Sequence, residues 1–368
     1  MKNTFGSSVA VTILGESHGE MIGAVLDGMT PGIAVDEGFI RRQMLRRQGP
    51  AALSTKRREA DEVKVVSGVK DGFTTGTPIT LLIENADKKS GDYQAMRTLA
   101  RPGHADYTAF CKYHGFADER GGGHFSGRIT AGLVAAGAIA LSALSGLGIR
   151  IGTHIAACAG ISDRPFGQLE QDLAMLDGLD LGILDSDRAA EITAAIEAAR
   201  AEGDSVGGIL ETAVLGLPAG VGEPWFDTVE GVLSHILFSV PAVKGVEFGD
   251  GFALAAMRGS EANDPFRAED GRIFTETNHA GGILGGITSG MPLIVRTAIK
   301  PTPSIYREQR TVDFREKENA ILTVKGRHDP AIVHRARVVI DSVVALALCD
   351  LLALRFGTDF LRDGASGK

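Results

Sequence analysis

His18, His104 and Asp329 each stand in a short polar segment bounded by glycine or proline: Gly15-Glu16-Ser17-His18-Gly19, Arg101-Pro-Gly-His104-Ala-Asp106 and Gly326-Arg-His-Asp329-Pro330. Cationic side chains are spread around them, among them Arg47, Arg57, Arg58, Arg128, Lys300 and Arg327. Histidine gives or takes a proton near neutral pH. Arginine and lysine hold phosphate and carboxylate groups. Together these types suit acid-assisted loss of an anionic leaving group from a polyanionic substrate. Taken singly, a histidine in such a turn also reads as a solvated surface residue. Asp329 before Pro330 also reads as a helix N-cap.

The densest stretch runs from Arg101 to Thr130 and contains Arg120-Gly-Gly-Gly-His-Phe-Ser-Gly-Arg128. Three glycines let the backbone approach a neighbour closely, since no Cβ stands in the way. Successive N–H groups of such a turn also cradle anions. A flexible linker is the other reading, but a linker has no need of two histidines and flanking arginines. The chain has no G-x-G-x-x-G after a strand, no G-x-x-x-x-G-K-[ST] and no H-E-x-x-H, and G-x-S-x-G occurs only at Gly15–Gly19 between two strands and at Gly203–Gly207 ahead of a strand, not in a strand-to-helix turn. A nicotinamide Rossmann site, a P-loop, a zincin and an α/β-hydrolase are therefore unsupported.

The elements that must position these residues follow from periodicity. Ser8 to Leu14 and Ile22 to Leu26 alternate as strands, giving a hairpin with His18 at its tip. Asp36 is a candidate N-cap for a helix from Glu37 to Arg47, ended by Gly49. Val63 to Val69 and Pro78 to Glu84 read as strands. Ile129 to Leu147 is 19 residues without a charge. That length would permit a membrane span. Its Ala, Gly and Ser content predicts instead a helix buried on all sides. Asp187–Glu202 and Asp227–Val240 read as helices, Ile209–Leu217 and Leu293–Ile299 as strands, and Asn278–Gly290 as a glycine-rich loop. A second apolar helix runs from about Arg337 to Leu354. Because a Gly/Arg/His segment precedes each apolar helix, an internal pseudo-duplication is expected. No linker divides the chain, so residues 1–368 read as one domain.

Bulk properties narrow the class. The net charge of -8 argues against nucleic acid as the main partner. A basic island, Arg41 to Arg58, carries seven cations and no acid. It reads either as a solvated face or as a funnel for a small polyanion. Glycine makes up 48 of 368 residues, roughly twice the ordinary share of about 7%. Three cysteines without a C-x-x-C pair support neither a disulfide framework nor a zinc knuckle. With no secretory signal pattern, the expectation is a cytoplasmic protein acting on a small molecule, away from membranes and without a metal.

Seven segments in order extend this: Gly15–Gly19, Arg101–Asp106, Gly121–Arg128, Asp204–Gly208, Asn278–Gly282, Lys300–Ser304 and Gly326–Pro330. In this succession the chain resembles the chorismate synthase family from Asn3 to about Leu354. The resemblance implies a lyase of the shikimate pathway, which leads to the aromatic amino acids. Its reaction is the 1,4-anti elimination of phosphate from 5-enolpyruvylshikimate 3-phosphate, giving chorismate. It further implies a need for reduced FMN without net redox change, an α/β fold of long central helices between antiparallel sheets, and a homotetramer.

Residue by residue, the resemblance makes His18 the acid for the departing phosphate, puts His104 near flavin N1, and has Asp329 work through flavin N5 in removing the C6 proton. Ser126, Gly127, Arg128, Pro241, Ala242, Gly285, Lys300, Pro301, Thr302, Pro303, Ser304 and Arg327 match flavin positions. Arg47 matches a residue for substrate or NADP contact, with Arg57 and Arg58 nearby. The family's usual Arg-Arg-Pro-Gly-Thr-Ser-Arg is here Arg46-Arg-Gln-Gly-Pro-Ala-Ala52, so Ala52 replaces a second cation. The alternatives are a flavin-dependent oxidoreductase acting on a small phosphorylated acid and a non-catalytic phosphate-binding scaffold. How FMN is reduced is left open, and an external flavin reductase is one route.

Overall fold

A computed structural model describes residues 2–50, 53, 61–85, 98–324 and 328–364. The N-terminal alternation produces the expected hairpin. Ala10–Gly15 and Met21–Asp27 pair antiparallel from Ala10↔Asp27 to Gly15↔Ile22. Met21–Asp27 then pairs with Ile79–Glu84, which pairs with Val63–Ser67. Thr4–Phe5 closes the other edge of this first five-stranded sheet. The second sheet has the order Val243–Phe248, Leu293–Ile299, Gly208–Leu215, Arg150–Cys158, Ile161–Ser162, again antiparallel throughout.

Both sheets are connected alike. Two long strands pair, a helix follows (Glu37–Gln48 or Val229–Ser239), the next strand goes outside, and the last inserts between it and the second. An internal duplication remains a proposal; what the halves share is this connection order.

Two central helices fill the space between the sheets. Thr130–Gly146 is buried around its circumference, from Ala131 through Ala140. This accounts for its lack of charge without a membrane, since the protein covers its sides. It lies so close to the first sheet that a Cβ on Gly132 would stand 2.5 Å from the Gly23 carbonyl oxygen. Val333–Phe356 packs along it and against the second sheet. At 24 residues this helix is about 36 Å long, and it starts four residues before the expected Arg337. The two helices cross at Gly137, where a Cβ would lie 2.2 Å from Ser342 Cβ. One apolar cluster runs through both interfaces, from Ile22 and Leu81 to Leu210 and Val295.

Candidate active site

A cavity of about 340 Å³ opens where the ends of several elements meet. Arg47 and Gln48 come from the end of the Glu37–Gln48 helix, and Ser126, Gly127, Arg128 and Thr130 from the approach to the first central helix. Val240 and Pro241 follow the Val229–Ser239 helix. Thr302, His328, Asp329 and Arg335 close the other side. The volume falls within the roughly 300–1,000 Å³ of ligand pockets.

Asp61 organises the cationic wall. Its buried carboxylate accepts from Arg47 Nη1 at 3.1 Å through one oxygen and pairs with Arg128 Nη1 through the other. Arg47 also donates to Thr130 Oγ1 at 3.1 Å and to the Gly127 carbonyl at 2.9 Å. The guanidinium is thus spread over the loop that leads into the central helix. Ser126 Oγ accepts from the Arg128 amide at 3.2 Å and starts that turn. The basic island therefore does not act as one solvated face. Arg42 pairs with Asp36 at the surface, Arg46 with buried Asp341 at 3.0 Å, and Arg47 is itself buried. Ala52, Arg57 and Arg58 lie outside the described residues.

His18 sits at the hairpin tip as expected, yet it is only 5% exposed. The triple glycine is the reason. Gly121, Gly122 and Gly123 all have positive φ, and a Cβ on Gly121 would come within 2.5 Å of the His18 ring. The close approach anticipated for this loop is to a histidine. Ser17 N–H donates to the Gly123 carbonyl at 3.1 Å, and His124 Nδ1 lies 2.8 Å from the Gly15 carbonyl oxygen. His18 is not among the residues lining the cavity.

His104 meets Ser304 at 2.7 Å, Nε2 to Oγ, across 200 residues of sequence. Burial, and after it the charge of Arg101, pushes the His104 pKa down to about 4. The ring is therefore neutral at physiological pH, able to donate one hydrogen bond and accept another. Arg101 is held by both oxygens of Asp106, at 2.8 and 2.7 Å. Lys300 Nζ donates to the Gly103 carbonyl, and Pro303 packs on Gly103, so Lys300 to Ser304 and the His104 segment form one unit. Within it, Thr302 reaches the cavity and Pro301 backs onto Gly207.

Asp329 Oδ2 accepts from Arg335 Nη1 at 2.5 Å in the cavity wall. It does not cap the following helix. That helix begins at Val333 with Ile332 in the N-cap position, so Pro330 lies outside its first turn. Beside Asp329, His328 has its pKa lowered by burial and then by Arg101. Ala242 takes a positive φ of 76° and accepts from the Lys300 amide at 2.9 Å. Gly285 is in a hairpin turn whose next residue, Gly286, accepts from the Val229 amide. It thus stands at the opposite end of the 11-residue Val229–Ser239 helix from Pro241, about 16 Å away along the axis. Arg327 lies outside the described residues.

Seven of the expected residues therefore line one cavity: Arg47, Ser126, Gly127, Arg128, Pro241, Thr302 and Asp329. Asp61, Thr130 and Arg335 escaped the sequence reading. No periodicity marks them, because each joins the wall through Arg47, which is distant from Thr130 and Arg335 in the chain and set against Asp61 only by the fold. His328 lay inside a quoted segment and could have been found there.

The sequence pattern of the chorismate synthase family matches residues 9–353. A chorismate synthase of Thermococcus gammatolerans is 47% identical over 350 residues, covering 95% of this chain and 97% of the relative. One of Dehalococcoides mccartyi is 45% identical over 360 residues, covering 97% and 98%. A crystal structure of chorismate synthase superimposes with a TM-score of 0.76 at 28% identity, over 96% of this chain and 94% of that one. With a sequence match of this extent and a shared α/β architecture, the chain belongs to the chorismate synthase family of lyases.

Proposed function

We propose that the chain acts as a single domain to eliminate phosphate from 5-enolpyruvylshikimate 3-phosphate, giving chorismate, with reduced FMN bound and no net redox change. The observation that carries this is the convergence on one cavity of residues that the family resemblance assigns to flavin, substrate and proton removal. The wall suits a polar, anionic ligand. Thr302 Oγ1 and His328 Nε2 are buried there without a partner among the described residues, and Gly127 faces open space. Buried polar atoms of this kind call for a ligand or water to complete them. Ser126, Gly127, Arg128, Pro241 and Thr302 would hold the flavin. Held there, reduced FMN would supply transient electron donation to the substrate with no net redox change.

The chain's own groups do the rest. Arg47, anchored by Asp61, attracts the phosphorylated substrate. His18 gives the leaving phosphate its proton. Asp329, oriented by Arg335, receives the proton lost from carbon. Neutral His104 offers a hydrogen bond without adding charge. Trp225, Phe226 and Phe252 are each more than four-fifths exposed, which supports a partner surface and hence the homotetramer. A cytoplasmic site and an external flavin reductase belong to the same proposal.

The test is an anaerobic assay with reduced FMN and the phosphorylated ester. Phosphate release without stoichiometric flavin oxidation is expected. Flavin oxidation matched to product would replace the lyase reading with an oxidoreductase, and no reaction would sink both.

A further inference from the structure

Asn85 directly follows the Ile79–Glu84 strand and is 5% exposed. Its Oδ1 accepts from Arg128 Nε at 3.1 Å. Its Nδ2 donates to the Glu16 carbonyl at 3.0 Å and to the Gly19 carbonyl at 3.1 Å. Those two carbonyls bracket His18 at either end of the hairpin turn, which Gly19 N–H closes onto Glu16 at 3.0 Å. The backbone joins in, since Asn85 N–H donates to the Glu20 carbonyl at 3.1 Å. One side chain thus links the turn that carries His18 to an arginine in the cavity wall.

We propose that Asn85 is a positioning residue that sets His18 in register with Arg128. This rests on the roles given above to His18 and Arg128. The chemistry of the amide makes the link specific. A guanidinium only donates, so it fixes the amide oxygen toward Arg128; the two N–H donors then have to face the turn. No carboxylate, hydroxyl or apolar side chain of that length supplies one acceptor and two donors in this arrangement. On its other side the His18 ring rests on Gly121, so the turn is clamped between Asn85 and the triple glycine. Through Asn85 the clamp keeps the proton donor at a fixed offset from Arg128 in the wall that would hold the flavin.

Asn85→Asp is the sharp probe. It keeps the size and the acceptor for Arg128, but sets a carboxylate oxygen against two carbonyl oxygens. Three measurements are made on wild type, Asn85→Asp, His18→Ala and the double variant: kcat and KM for phosphate release, Kd for reduced FMN, and the NMR titration of isotope-labelled histidine. The His18 signal is assigned by its loss in His18→Ala. In Asn85→Asp the His18 signal should shift and kcat should fall on the order of 10²-fold, as for a group displaced by about 1 Å. KM and the FMN Kd should stay near wild type. In the His18→Ala background the same substitution should change kcat within about twofold, because coupled sites do not add.

An unchanged His18 titration in folded Asn85→Asp overturns the proposal. So does a full kcat loss repeated without His18, which would mark Asn85 as a general structural residue. If Asn85→Asp does not fold, Asn85→Ser removes the contacts to the turn, and the one to Arg128 with them, without adding charge, and carries the same measurements. Wild type that releases no phosphate sinks the proposed reaction, while the histidine titration still decides the role of Asn85.

Discussion

Asp61 holds Arg47 and Arg128 at once, and all three side chains are at least nine-tenths buried. Removing one partner of a buried pair is costly, because the charge left behind stays desolvated. Arg47→Ala leaves Asp61 with Arg128 alone and should destabilise by about 3 kcal/mol, the lower end of the range for broken buried pairs. The loss, read from urea unfolding, should persist at high salt, since buried pairs are screened little. An unfolding midpoint equal to wild type would return Arg47 to the role of an exposed anion funnel. Asp329 tests a different point. Asn keeps its size, and Arg335 stays anchored by its bond to the Arg47 carbonyl at 3.0 Å. No helix cap is lost, because the helix starts beyond Ile332. Asp329→Asn should therefore melt like wild type while phosphate release falls by about 10²–10⁴, the usual cost of losing an acid–base group. The hydrogen-isotope effect at C6 should grow as well. Near-normal turnover in that variant would remove Asp329 as the proton acceptor.

Among the elements, the crossing of the two central helices is the tightest constraint. Gly to Ala inside a helix gains up to about 1 kcal/mol from propensity. At Gly137 the added methyl would lie 2.2 Å from Ser342 Cβ. Overpacking of that kind costs roughly 1–3 kcal/mol, so the sign should reverse and Gly137→Ala should destabilise. At Gly146, the end of the same helix, an added methyl would meet nothing within 4 Å. Gly146→Ala should be neutral or stabilising, by less than about 1 kcal/mol. Equal effects of the two substitutions in urea unfolding would mean that the crossing is not what demands glycine.

For the whole molecule, the buried histidines set the pH range of stability. Burial pushes both His104 and His334 down to about 4 from 6.5. Between those values the unfolded chain binds protons that the folded chain refuses. Stability should thus fall as pH drops from 6.5 toward 4, by up to about 1.4 kcal/mol per pH unit for each histidine. His154 works the other way. Burial opposes its charge, but hydrogen bonds to Asp163 and Glu211 outweigh burial and raise its pKa. Its contribution is present below 6.5 and is lost as pH rises through its folded pKa. Urea midpoints measured from neutral pH downward should decline through the histidine window, and His334→Gln should flatten the slope. A flat profile down to pH 4 in wild type would contradict the buried neutral state.

Local order was legible in the sequence. Alternation marked the His18 hairpin, the absence of charge marked the first central helix, because burial on every side leaves no polar stripe, and a strongly apolar run marked the second. The glycine segments pointed to close backbone approach, and Gly121 to Gly123 take the positive φ that only glycine adopts freely. What those segments approach was not legible. Asp61 finds Arg128 across 67 residues, His104 finds Ser304 across 200, and Asn85 reaches back 69 to Glu16. No local periodicity encodes such pairs; they exist because two antiparallel sheets close over two helices and bring loop ends together. Asp329 shows the same limit on a small scale. Its sequence fits an N-cap, but packing of the second central helix sets the helix start at Val333 and leaves the carboxylate to Arg335. The types of residue available to the site were thus settled along the chain, and their partners by the sandwich.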